Sequence, residues 1–146
     1  MSTRVDHSQP VSADAVQQLS KTEYERLANL RYALRRFSRQ TELEARRVGL
    51  TPQQYLLLLS LKGFPGRDWA SITELAERLQ IRHNAVIGLV NRAEERNLVR
   101  RAQDPASADR RIVNIHITAS GEHILMSMSA ALRNERQRVR LALQAV

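Results

Sequence analysis

The stretch SITELAERLQIRHNAVIGLVNRAEERNLVRR, residues 71–101, predicts two helices joined by a tight turn. Ser71 followed three residues later by Glu74 is a capping box, in which each residue satisfies a backbone amide of the other. The helix that it opens extends through Leu79, and only Gln80-Ile81 separates it from the next helical pattern. Two short helices in this order are typical of a helix-turn-helix.

The second helix of this pair fits Arg82 to Arg96, and Asn97 is a typical left-handed residue after its end. Its apolar positions repeat at helical spacing on one side, which leaves a polar and basic outer side. Arg82 stands where a capping Ser or Thr is usual, so the first amides of the helix are left for another acceptor, such as a phosphate. The outer side carries Arg82, His83, Asn84, Ile87, Gly88, Asn91 and Arg92.

Two strand patterns follow, Leu98 to Gln103 and Ile112 to Thr118, and the second alternates apolar and polar residues. The eight residues between them form a polar loop that contains Asp109-Arg110-Arg111. A helix-turn-helix followed by a hairpin with arginines at its tip is the layout of a winged helix-turn-helix. The predicted fold class is therefore mainly α (α+β), with a winged helix-turn-helix at its centre.

This layout predicts contact with double-stranded DNA. A helix fits the major groove, which is about 12 Å wide, and we expect Arg111 to enter the minor groove while Asp109 pairs with an arginine and holds the hairpin in shape. A solvated charged surface is the alternative for these residues, and Asn91 is equally able to bond within its own helix. The candidate DNA contacts are Ser71, Thr73, Arg82, His83, Asn84, Ile87, Gly88, Asn91, Arg92, Asp109, Arg110 and Arg111.

Longer helices are predicted on both sides of this lobe. Capping boxes that begin at Ser20 and Thr51 open helices that extend to about Val48 and Lys62. Thr118 caps a last helix that we expect to continue nearly to Val146. The one predicted domain, 1–146, is divided into a flexible arm (1–11), an N-terminal dimerisation region (12–48, with a short helical turn over 12–19), the winged lobe (50–117) and a C-terminal dimerisation helix (118–146).

The two outer helices carry apolar residues at heptad-like spacing, which predicts a homodimer. Helices of about 25 residues are longer than so small a core needs, and a dimer explains recognition of two half-sites. The alternative is that parts of each seam pack only within one subunit. The candidate dimer residues are Leu19, Leu27, Leu30, Leu125, Met128, Leu132, Val139 and Val146.

The composition agrees with a polyanionic partner. The 146 residues have a formal net charge of +8, almost all of it from arginine, which binds phosphate better than lysine does because it is bidentate. Solubility alone is the alternative reason for this charge. There is no cysteine, no signal-peptide core and no apolar run of the ~20 residues that a membrane span needs, so we expect a cytoplasmic, nucleoid-associated protein.

The sequence contains none of the catalytic motifs that we sought, neither a Gly-rich phosphate loop nor H-E-x-x-H nor G-x-S-x-G, so we expect a protein that is not an enzyme. Four histidines are scattered over different predicted elements. His116 and His123 are conceivable metal ligands, but a solvated or hydrogen-bonded histidine is the commoner case. We therefore assign no metal and no cofactor.

Residues 71–101 and the following DPASADRRIVNIHITASGEHIL (104–125) resemble the DNA-binding core of MarR-family regulators. The resemblance covers roughly Leu50 to Leu125. It implies a homodimer on a pseudo-palindromic operator, with recognition helices in successive major grooves and wings in minor grooves. It also implies, in many members, a pocket for a small effector between the domains. We expect repression through occupancy of the operator, although activation from an upstream site would use the same contacts. The candidates for holding an anionic aromatic effector are Tyr24, Arg31, Tyr32, Arg35, Tyr55 and Trp69, although core packing explains Tyr55 and Trp69 equally well.

The sequence departs from the family in two respects. Ile87 and Gly88 stand where members often carry Ser or Thr and an Arg, so the operator preference cannot be transferred. Members usually finish with two C-terminal helices, whereas the pattern after the wing predicts at most one. The rival hypothesis is a winged-helix module that docks proteins and has no sequence-specific DNA binding; a helical protein that binds only small molecules is a weaker one.

Overall fold

Nine elements follow one another in residues 17–146, the part of the chain that the computed structural model describes. They confirm the mainly α fold class with a winged helix-turn-helix. The predicted arm (1–11) and most of the predicted turn (12–19) lie outside the described residues, and residues 17–20 are not helical. The elements are α1 (Lys21–Arg47), α2 (Pro52–Lys62), β1 (Trp69–Ser71), α3 (Ile72–Leu79), α4 (His83–Glu95), β2 (Val99–Gln103), β3 (Val113–Ile117), α5 (Ala119–Ala131) and α6 (Arg133–Gln144).

Capping boxes begin α1, α2 and α3, as predicted. At α1 the Ser20 amide donates to Glu23 Oε2 at 2.6 Å, and the Glu23 amide donates to Ser20 Oγ at 3.1 Å. The same reciprocal pair is present at Thr51 with Gln54 and at Ser71 with Glu74. Gly49, at φ +74°, follows the end of α1 in the left-handed conformation that glycine adopts without strain. These helix ends are therefore set by local chemistry.

The turn between α3 and α4 is short because Gln80 takes the left-handed conformation, with φ +53°. Asn97, at φ +57°, takes the same left-handed conformation just after α4, which confirms the predicted end of this helix. The Leu98 amide then donates to the Ala93 carbonyl at 2.9 Å and directs the chain into β2. The helix-turn-helix and the wing are therefore joined through one left-handed residue.

The sheet contains a strand that the sequence pattern did not predict. Its order is β1-β3-β2, and both pairs are antiparallel. In the predicted hairpin, Val99 pairs with Ile117 and Gln103 pairs with Val113. The additional strand, β1, pairs Trp69 with His116. Three residues are too few to show an alternating pattern, so only the tertiary fold reveals this edge strand.

The prediction of one long C-terminal helix was wrong. Two helices, α5 and α6, are separated at Leu132, whose ψ of 4° departs from the helical value. Leu132 is fully buried in the core, and the Arg136 guanidinium donates to the Ser129 carbonyl across the break. The break directs α5 against α2 and α6 against α1. The chain thus has two helices after the wing, and the departure from the family that the sequence pattern predicted here is absent.

The core is centred on α2, whose Leu57, Leu58 and Leu61 are fully buried. Helix α4 contributes Val86 and Val90 to this core. Leu125, Met128 and Leu132 were predicted at the dimer seam, but all three are buried within the subunit, where they belong to this same core. The prediction that these three residues lie at the dimer interface was therefore wrong. They pack inside one subunit, which was the alternative.

Candidate nucleic-acid interface

The beginning of α4 presents polar side chains to solvent. Arg82, His83 and Asn84 are all exposed. The Arg82 carbonyl accepts from the Val86 amide at 3.1 Å, and within residues 17–146 no side chain caps the helix. The first amides of a helix carry partial positive charge and attract anions. The start of α4 therefore offers uncapped amides beside three side chains that are able to contact DNA.

Further along the same side, Arg92 lies across Gly88. A Cβ built at Gly88 would stand 3.2 Å from Arg92 Nη1 and 3.9 Å from Arg92 Cζ. Ile87, beside it, is half-buried. The absence of a side chain at Gly88 therefore makes room for the exposed Arg92 guanidinium to rest on the helix surface.

Asn91 is held by a residue that sequence reasoning missed. Its Oδ1 accepts from Arg101 Nη2 at 2.6 Å, and Arg101 Nη1 donates to Glu94 Oε1 at 2.7 Å. The Arg101 amide also donates to Glu94 Oε2, at 3.1 Å. Arg101 is in β2 at an inward-facing position, two residues after the buried Val99. A charged residue at an inward strand position needs a partner, and that was the available signal.

A second arginine joins the end of α4 to the turn after α1. The Arg96 guanidinium donates to the Gly49 carbonyl, and its Nη1 donates to Gln54 Oε1 at 3.3 Å. Gln54 is buried and also forms the capping box of α2. Arg96 thus connects the end of α4 to the turn after α1 and to the start of α2. No spacing rule in the sequence relates these residues.

The wing carries a bidentate ion pair. Arg111 Nε and Nη2 donate to Asp109 Oδ1 and Oδ2 at 3.1 and 3.0 Å, and the Arg111 amide donates to Oδ1 at 3.0 Å. The hydrogen bonds from the Arg111 side chain and backbone hold the pKa of Asp109 below its ordinary value. The Arg111 side chain is nevertheless 91% exposed, and Arg110 is exposed beside it. The predicted pairing of Asp109 with an arginine is confirmed.

Four of the predicted contacts meet in one cleft. Ser71, Thr73, His83 and Arg111 line a cavity of about 230 Å³ between the start of α3, the start of α4 and the wing. The Ser71 hydroxyl is already engaged, since it accepts from the Glu74 amide at 3.2 Å. Thr73 is exposed. The fold therefore brings residues that are 40 positions apart in the chain onto one face.

The start of α3 is braced by an arginine between two aromatic rings. Arg67 Cζ lies 4.3 Å from the centroid of Phe64 and 4.0 Å from that of Trp69, and its guanidinium pairs with Glu74. Burial alone would raise the pKa of Glu74, but the hydrogen bonds from Ser71 and the pair with Arg67 outweigh it and lower this pKa. The carboxylate that caps α3 therefore stays ionised.

The comparisons with known proteins agree with this geometry. Residues 48–112, from the end of α1 to the wing, match the model of the MarR family. This central part of the chain is similar to the MarR family. The HTH-type transcriptional repressor MdtR of Bacillus subtilis is 32% identical over 74 residues, which are 51% of this chain and 44% of that protein. The chain thus matches less than half the length of this curated relative.

Solved structures of MarR-type folds superpose on most of the chain. The transcriptional regulator Tm0710 of Thermotoga maritima is 27% identical, covers 84% of this chain and 82% of its own, and has a TM-score of 0.63. BpsR of Bordetella bronchiseptica, whose DNA binding is regulated by 6-hydroxynicotinic acid, is 24% identical, covers 80% and 83%, and has a TM-score of 0.60. At 24% identity the second likeness shows the fold alone.

The effector candidates do not meet in one place in the described part of the subunit. Arg31 and Arg35 line a groove of about 430 Å³ on α1, whereas Tyr32 lines a different one, of about 110 Å³, beside α6. Tyr24 is exposed. Tyr55 is buried, with its hydroxyl 3.4 Å from Ser129 Oγ, and Trp69 is in β1 against Arg67. Tyr55 thus has the core-packing role that was its alternative, whereas Trp69 is half-buried on the edge strand.

The remaining dimer candidates are on α1 and near the C-terminus. Leu19, Leu27 and Val146 are exposed and line one largely apolar groove of about 210 Å³, together with Ala145, Glu23 and Arg26. Leu30 and Val139 are half-buried. The groove brings the two ends of the described chain together, which places the exposed apolar residues of both helices on one surface.

The conceivable metal ligand His116 is in the sheet, at 6.1 Å between its ring centroid and that of Trp69. Burial and the nearby charge of Arg100 lower its pKa. In residues 17–146 no three His, Asp or Glu side chains are arranged to hold a metal ion. Within the same residues, no helix is both long and apolar enough to cross a bilayer.

Proposed function

We propose that this protein is a sequence-specific MarR-family regulator that binds a pseudo-palindromic duplex operator as a homodimer. The observation that carries the proposal is the exposed, uncapped start of α4 beside a wing arginine that a carboxylate already orients. The helix is the element that fits the major groove, and an arginine on a hairpin suits the minor groove. A catalytic role forms no part of the proposal.

The residues divide into readers of bases and binders of the backbone. Arg82, His83 and Asn84 face the base edges at the start of α4, and Ile87 contacts a thymine methyl. Arg92, resting over Gly88, donates to a guanine or a phosphate. The backbone contacts are Ser71 and Thr73 at the start of α3 and Arg110 and Arg111 in the wing, with Asp109 as the residue that orients Arg111.

The dimer joins the exposed apolar groove formed by Leu19, Leu27 and Val146 to its copy, with Leu30 and Val139 at the edges. A two-fold axis then spaces two α4 helices one turn of DNA apart, about 34–36 Å. Repression follows because the dimer covers promoter DNA, and the matched relative MdtR is named a repressor. A small anionic aromatic effector, as for BpsR, changes the spacing of the two helices and releases the operator.

The experiment is selection of bound duplexes from a random pool, followed by affinity measurements at several salt concentrations. The proposal expects an enriched inverted repeat, and affinity whose logarithm falls against the logarithm of salt by about 0.9 per phosphate contacted. Asn84→Ala should relax the base preference at one position while leaving the salt slope unchanged. Equal affinity for every duplex, or a monomer at micromolar concentration, would contradict the proposal and favour a module that docks proteins.

A further inference from the structure

The positive charge of this protein is concentrated away from the lobe that is proposed to read DNA. Helices α1 and α6, here called the body, carry twelve basic and five acidic residues, a net charge of +7 of the +8 of the whole chain. The lobe, residues 50–117, carries ten basic and seven acidic residues, a net charge of +3, and the remaining segments are slightly acidic. The operator face therefore does not account for most of the charge.

Most of the body arginines have no carboxylate partner. Among the described residues, Lys21, Arg36, Arg39 and Arg47 form the ion pairs of the body. The other basic side chains of these two helices form none, and all of them are exposed. They are Arg26, Arg31, Arg35 and Arg46 on α1 and Arg133, Arg136, Arg138 and Arg140 on α6.

Arginines of the body form rows. Arg31, Arg35 and Arg39 follow one another at spacings of four residues and line one groove on α1, over about 12 Å of helix. Glu42, which pairs with Arg39, lines the same groove. Arg133, Arg136 and Arg140 are spaced by three and four residues on α6. The row on α6 is opposite the side that carries the buried Glu135 and Ala142. Each helix therefore presents a cationic edge to solvent.

Rows of like charge are unfavourable in an isolated helix. Each like-charged pair four residues apart destabilises a helix by about 0.2–0.5 kcal/mol, and a concentrated net charge adds self-repulsion. A polyanion removes this repulsion and releases its own counterions. Arginine suits phosphate because its planar guanidinium donates two hydrogen bonds to one group. Duplex DNA has about one phosphate per 3.4 Å of each strand, so a row of about 12 Å faces on the order of three phosphates.

We propose that the body is a second, sequence-independent surface for the phosphate backbone of duplex DNA, distinct from the face of α3, α4 and the wing. A dimer that holds its operator through the lobes then holds a second DNA segment through the arginine rows. Bridging of two duplexes in this way rests on the proposed function, whereas backbone binding by the body does not.

The test uses three versions of the full chain besides the wild type. The body variant combines Arg31→Gln, Arg35→Gln, Arg133→Gln and Arg140→Gln, none of which lies on the operator face. Its matched control carries Lys at the same four positions and so keeps the charge. The lobe variant combines Arg92→Ala with Arg111→Ala. Circular dichroism and sedimentation confirm that each version keeps its fold and its association state.

Two measurements follow: the affinity for a random-sequence duplex, and energy transfer between two differently labelled duplexes that one protein holds together. The body variant should lose random-duplex affinity and bridging by tenfold or more, and its salt slope should become shallower by about 0.9 for each lost contact. Its selectivity for the operator should stay within threefold. The Lys control should retain bridging, and the lobe variant should retain random-duplex binding without selectivity.

Unchanged random-duplex affinity and unchanged salt slope in the body variant would overturn the inference. A wild-type dimer that binds its operator but bridges no second duplex would overturn the bridging. A preference of the wild-type body for single-stranded RNA or for phosphatidylserine vesicles over the duplex would overturn the inference too, in favour of another polyanion. If no operator is found but the body variant still loses random-duplex binding, the inference stands and the proposed function fails. The two failures are therefore distinguishable.

Discussion

The lobe and the body of this protein use arginine in opposite ways. In the lobe, arginines make specific internal bonds: Arg101 holds Asn91 and Glu94, Arg96 reaches the Gly49 carbonyl, and Arg111 is fixed by Asp109. In the body, most arginines are exposed without a carboxylate partner in the described residues. The difference teaches that the region of highest net charge is not the region whose arginines are oriented by internal bonds. The proposed operator face belongs to the second of these regions.

The junction between the two regions gives the largest expected effect. Gly121, in the first turn of α5, leaves no room for a side chain, because an added Cβ would press on the Leu98 carbonyl and approach Ile117 Cγ1 at 2.9 Å. Gly121→Ala should therefore destabilise the protein by about 3 kcal/mol and lower the Tm on the order of 10 °C. Thermal denaturation followed by circular dichroism measures this. Ser120→Ala, at the exposed neighbour, is the control and should change the Tm little.

The wing should give the next largest effect. Arg111→Ala should weaken operator affinity tenfold or more, because an arginine in a narrow minor groove contributes about 1–3 kcal/mol. Asp109→Asn keeps the arginine but removes its bidentate acceptor, so we expect a loss of about threefold. Fluorescence anisotropy with the selected operator measures both. An unchanged affinity in Asp109→Asn would mean that the charge of Arg111, and not its orientation, is what the wing contributes.

Arg101→Met tests whether the lobe depends on orientation where no DNA contact is made. The substitution keeps the length of the side chain but frees Asn91 and Glu94, so α4 is no longer tied to β2. Operator affinity should fall about fivefold, while the salt slope stays the same because no phosphate contact is lost. Titrations at three salt concentrations separate the two. A slope that becomes shallower by about 0.9 would instead make Arg101 a phosphate contact.

The features of this fold that depend on interactions within one helical turn could be predicted from the sequence, whereas those that depend on contacts between elements could not. The capping boxes at Ser20, Thr51 and Ser71 satisfy amides within one turn, so residues next to each other in the chain determine them. The break at Leu132 has no such cause. Leu132 has a good helical propensity, and the chain turns there because α5 packs on α2 while α6 packs on α1.

The same contrast applies to the candidate site. Exposed side chains of α4 and the pair in the wing follow from helical spacing and from a two-residue separation, so the sequence was sufficient to predict them. Arg96 and Arg101 act through partners on other elements, at separations that only the fold brings together. Heptad spacing likewise failed to separate Met128, which is in the core, from Leu27, which is exposed.

The smallest expected effect is that of pH on the pair between Asp109 and Arg111, which should hardly change between pH 7 and 5. The hydrogen bonds from Arg111 depress the pKa of Asp109, so the pair is fully formed above the ordinary aspartate pKa and is lost only as pH falls through the depressed value. Between pH 7 and 5 the Arg111 side-chain resonances should therefore stay unchanged in NMR spectra. A titration of these resonances near pH 6 would contradict the pairing.

The central claim, that the outer side of α4 lies against the bases of the operator, is tested most directly by site-directed cross-linking. The chain contains no cysteine, so one introduced cysteine is a unique attachment point for a photoreactive group. Ala85→Cys on the exposed first turn of α4 and Ser38→Cys on α1 place that group on the lobe and on the body. The account predicts cross-links from the first at the same base pairs in both half-sites, and no fixed position from the second. Fixed cross-links from Ser38→Cys, with none from Ala85→Cys, would contradict it.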